Sequence, residues 1–65
     1  MRKAILEALR LRYEAEIAEA DATANIYLSN SVGIGEHPQH IDEVDKQMKR
    51  IASAKEKMNI LEEFE

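Results

Sequence analysis

Cysteine and tryptophan do not occur in this 65-residue sequence, which has one proline, two glycines and 5% aromatic residues. Without cysteine there is neither a disulfide framework nor a thiolate zinc site, so the usual staples of a small domain are missing. A chain of this size folding alone buries only about 60% of its unfolded surface and is marginal by itself. The expectation is therefore self-association or a protein partner. No apolar run exceeds three residues, so neither a membrane span nor a signal-peptide core is expected. Nine basic residues stand against thirteen acidic ones, a net charge of −4, which argues against general nucleic-acid binding.

What is present is helix-forming sequence. Residues 2–31 contain no Pro and no Gly and are rich in Ala, Leu, Glu and Arg, the strongest helix formers. A first helix over about 2–31 would be roughly 45 Å long. Gly33 and Gly35 can take positive φ and end it, leaving a loop at about 32–37. Pro38 suits the first turn of a second helix, where its missing N–H does no harm. Asp42, Glu43 and Asp45 are expected near the start of that helix, on the favourable side of its dipole. The second helix runs over about 38–63. Two helices of similar length with a short connection predict one all-α domain over 1–65, an antiparallel hairpin.

The apolar spacing sharpens this. Leu6, Leu9, Tyr13, Ile17, Ala20, Ala24, Tyr27 and Leu28 recur by threes and fours and line one face of helix 1. A second set, Ala4, Ala8, Leu11, Ala15, Ala18, Ala22 and Ile26, lies roughly half a turn away at about 100° per residue. Helix 2 has one broad stripe of Ile41, Val44, Met48, Ile51, Ala54, Met58 and Leu61, interrupted by Lys55, whose stem can still cover apolar surface. Val44, Ile51 and Met58 are seven apart, as in a left-handed coiled coil. The expected hairpin core is Leu6, Leu9, Tyr13, Ile17 and Leu28 against Ile41, Val44, Met48, Ile51, Met58 and Leu61.

Two helices cover only one side of each other, so one face of helix 1 is left over. Two copies forming an antiparallel four-helix bundle would cover it, with small residues allowing close approach. The expected second interface is Ala8, Leu11, Ala15, Ala18, Ala22 and Ile26. The expected assembly is a homodimer or higher homo-oligomer.

Candidate chemistry is sparse. His37 and His40 are three apart beside Glu36 and Glu43. His40 and Glu43 would share a helix face, and such ligands at such spacing can hold zinc or another divalent ion. A complete site would need ligands from a second chain, so His37, His40 and Glu43 stand only as a tip candidate, and no cofactor is expected. A di-metal carboxylate bundle requires Glu-x-x-His, and no His here has Glu three positions before it. Glu16 falls near the large-residue face of helix 1, but brings no His with it. Gly-x-Ser-x-Gly is missing, and Gly33-Ile34-Gly35 lacks the Gly-Lys-Ser/Thr of a phosphate loop. No catalytic residue is expected. Lys3–Glu7, Arg10–Glu14, Arg12–Glu16, Asp42–Lys46 and Asp45–Lys49 are four apart, the spacing of intrahelical ion pairs on a solvated face.

Gly33-Ile34-Gly35-Glu36-His37-Pro38-Gln39-His40-Ile41, with Asp45-Lys46 and residues 51–57, resembles a small uncharacterised protein of marine T4-like phages of cyanobacteria and of ocean metagenomes. Residues 4–9 and 13–17 share in the resemblance, which covers nearly the whole chain. It implies a viral accessory or structural protein, working in a bacterial cytoplasm or in the particle through contact with a virion or host protein. It assigns no residue a role.

Overall fold

The structure, a computed structural model, describes residues 1–29 and 38–65. It is an all-α hairpin of two helices packed against each other: α1, Arg2–Ser29, and α2, Pro38–Glu62. The expected helix end at 30–31, the loop at 32–37 with its two glycines, and His37 lie outside the described residues. The first turn of α2 contains no acidic residue. Asp42 and Glu43 fall in its second turn, where the dipole acts less strongly than expected from the sequence, because its effect fades within one turn. The far end of α2 tightens: Glu63 N–H donates to the Ile60 carbonyl at 3.0 Å and Phe64 N–H to that of Leu61 at 2.9 Å. Arg2 donates to the Phe64 carbonyl and ties the two chain ends together.

The cross-helix links set the register. Arg2 meets Phe64, Tyr13 meets Lys57, Glu16 and Glu19 meet Arg50, and Tyr27 meets His40. The numbers of facing residues add to between 66 and 70, so the helices run antiparallel without slippage. Two series seven apart form the seam: Leu6, Tyr13, Ala20 and Tyr27 on α1, and His40, Gln47, Ala54 and Leu61 on α2. All eight are buried or half-buried. The register sets Tyr13 level with Ala54 and Ala20 level with Gln47, so a large side chain faces a small one in the middle layers. Interdigitation of this kind allows close helix approach.

Leu6, Leu9, Tyr13, Ile17, Val44, Ile51 and Met58 are half-buried and Leu61 is buried. Three residues expected in the hairpin core are not there. Leu28 is 61% exposed, Ile41 74% and Met48 47%. Each directly follows a seam residue (Tyr27, His40 and Gln47), and one residue is about 100° of helix. Both members of such a pair cannot face the same neighbour. On α2 the seam takes His40 and Gln47, which turns Ile41 and Met48 onto the flank.

Candidate interaction surfaces

The two flanks of the hairpin differ in chemistry. One carries a charged clamp that is built locally from the seam. Arg50 lies four positions before Ala54 and projects toward α1. Its Nη2 donates to Glu16 Oε2 at 3.0 Å and also to Glu19, and its Nη1 donates to Gln47 Oε1 at 3.0 Å. The guanidinium pKa is raised, first by the hydrogen bond to Glu19 and then by that to Glu16, with burial opposing. Gln47 is itself buried, and the Arg50 bond satisfies its side-chain oxygen, as a buried amide requires.

The residue spacing alone gave neither Arg50 nor Gln47 a place in the hairpin. The available signal was Glu16, a carboxylate near the large-residue face with no apolar reason to be there. It pairs with Arg50 across the hairpin; Arg12 was its expected partner. Within α1, Arg10 bridges Glu7 at 2.5 Å and Glu14 at 2.6 Å, so the expected Arg10–Glu14 pair forms and Glu7 pairs with Arg10 rather than Lys3. The Glu7 carboxyl is held below its ordinary pKa, chiefly by that hydrogen bond.

The opposite flank is apolar toward the hairpin tip. Tyr27, Leu28, His40, Ile41, Val44 and Met48 line an open groove there, with Asp45 at its edge. The half-buried Ile51 and Met58 continue it along α2. The outer side of α1 offers the small-residue stripe: Ala8, Leu11, Ala15, Ala18, Ala22 and Ile26 are all exposed. Leu9, Ile60 and Phe64 gather at the end bearing the chain termini.

Exposure of this kind is unusual for so small a molecule. Among the described residues the buried apolar set is Ala20, Ala24, Ala54 and Leu61, and no large side chain is fully buried. The chain exposes 5063 Å², whereas a compact monomer of its 7.4 kDa exposes about 4200 Å². Its radius of gyration is 15.2 Å and its long axis spans 50 Å; a compact domain of this length has a radius of gyration near 11 Å.

Of the tip candidates, His40 and Glu43 are among the described residues and His37 is not. His40 packs edge-to-face on Tyr27, ring centroids 5.3 Å apart at 85°. Glu43 is half-buried on the next turn. Among the described residues no group of three or more His, Asp or Glu side chains could hold a metal ion. Among the same residues no helix is long and apolar enough to cross a membrane. Compared with known proteins, the chain matches no protein family, no curated protein and no solved structure.

Proposed function

We propose that this chain is a non-enzymatic interaction protein, a helical hairpin that self-associates into an antiparallel four-helix bundle and acts by protein–protein contact. The observation that carries the reading is the missing core. No large side chain among the described residues is fully buried, while Leu11, Ile26, Leu28, Ile41 and Met48 are exposed. A 65-residue chain without a disulfide gains its missing burial most directly from another helix pair.

The resemblance to small proteins of marine T4-like phages supports a viral accessory or structural role, with the particle or the bacterial cytoplasm as the place of action. A virion or host protein would then meet whichever faces the bundle leaves outside. The alternatives are a metal- or ligand-binding tip centred on His37 and His40, which predicts a rise in melting temperature with added zinc, and an acidic regulator docking on a host protein, which predicts that partner binding is lost at high salt.

Sedimentation equilibrium over a concentration series tests the main reading. A dimer or larger species is expected at micromolar concentration. A monomer at every concentration overturns self-association.

A further inference from the structure

We propose that the flank of α2 bearing Ile41, Val44, Met48, Ile51 and Met58 is the surface on which a second copy of this chain docks, α2 against α2 and antiparallel. This rests on the self-association proposed above and names the surface that performs it. The Ala stripe of α1 is the docking face expected from residue spacing, but the roll of α2 about its own axis changes the balance. That stripe offers mostly methyl groups. The α2 flank offers five large side chains over residues 41–58, about 26 Å of helix from first to last, and Leu28 of α1 widens it at the tip.

The stripe is self-complementary. With Lys55 counted, its spacing is symmetric about a point between Met48 and Ile51. A two-fold axis through that point sets Met48 on Ile51 of the second copy, and Ile41 on Met58 of the second copy. Each contact is made twice, as an isologous interface requires.

Lys55 is the charged residue that interrupts the stripe. In this register its stem crosses Val44 of the second copy, and its ammonium comes beside Asp45 of the second copy, at the edge of the apolar groove. Symmetry makes two such pairs. Among the described residues neither Asp45 nor Lys55 takes part in an ion pair within its own chain. A charge inside an apolar stripe is a defect in a single hairpin. In the dimer it fixes the register, as polar residues do in coiled coils.

The test uses charge reversal and mixing. Asp45→Lys alone sets Lys against Lys at both pairs, and Lys55→Asp alone sets Asp against Asp. Each variant is expected to dimerise about ten-fold more weakly than the parent. An equimolar mixture restores opposite charges at both pairs and should recover dimer mass in sedimentation, whether or not either variant keeps its helicity alone. Met48→Glu should abolish the dimer and Ala15→Glu should leave it intact. If the parent chain dimerises but both charge variants do so equally well, or mixing restores nothing, the surface is wrong while self-association stands. A parent chain that is monomeric throughout overturns both.

Discussion

Arg50 of α2 reaches across the hairpin to Glu16 of α1, Nη2 to Oε2 at 3.0 Å, and the same guanidinium holds Gln47 of its own helix at 3.0 Å. One side chain thus fixes helix pairing, register and the only buried polar group among the described residues. Arg50→Ala should lower the melting temperature by a few degrees, since partly exposed ion pairs contribute little individually. It should also leave Gln47 short of a partner. Arg50→Lys, a point charge without the fork, should recover only part of the loss. Thermal denaturation of the three proteins side by side checks this. Equal midpoints would remove the clamp from the account.

Gln47 sits in an otherwise apolar stretch of seam, level with Ala20. Gln47→Leu replaces a buried amide by a hydrocarbon of similar volume, which in comparable cases is neutral or stabilising. The melting temperature should rise, and the slowest amide exchange in the centre of α2 should become slower still. A fall in stability would mean that the Arg50 bond outweighs the burial cost of the amide.

Ala20 is fully buried, and its methyl group is what lets the helices approach. Ala20→Leu should destabilise the hairpin by about 1–3 kcal/mol through overpacking. Ala15→Leu, on the exposed outer side of α1, should change stability by less than about 0.5 kcal/mol. Leu61→Ala removes the largest buried apolar side chain and should cost about 2–3 kcal/mol, a large part of what so small a domain has. Urea denaturation midpoints at fixed protein concentration separate the three.

Glu7 supplies a pH dependence. Its folded-state pKa is depressed by the Arg10 hydrogen bond. Its stabilisation is therefore fully present above the unfolded-state glutamate value and is lost as pH falls through the lower folded value. Because the pair is exposed, the effect should be small and should shrink with added salt. Glu7→Gln should flatten the acid limb of the stability curve and leave neutral pH nearly unchanged. An acid limb identical in both proteins would show the pair to be idle.

Much of this molecule was legible in residue spacing. Helix formers without Gly or Pro over the first thirty residues made α1 plain, and the steps of three and four identified Leu6, Tyr13, Ala20 and Tyr27 as one face. The α2 stripe was harder to place. Its large residues centre on a line about 70° from the true seam, so a pattern that scores hydrophobicity alone put Ile41 and Met48 inward and overlooked Gln47. The phage resemblance added no residue-level information about either side.

Helix content, the hairpin topology and the leftover apolar surface follow from local sequence, because helix propensity and periodicity are properties of neighbours along the chain. The roll of α2 follows only from packing. It depends on Ala20, Ala24 and Ala54 permitting close contact, on Arg50 finding Glu16 and Glu19 on the other helix, and on only one of two adjacent residues being able to face that helix. The Arg50 contacts alone join residues 34 and 31 positions apart. Together these interactions decide which flank of α2 is left apolar and exposed, and so where another molecule can dock.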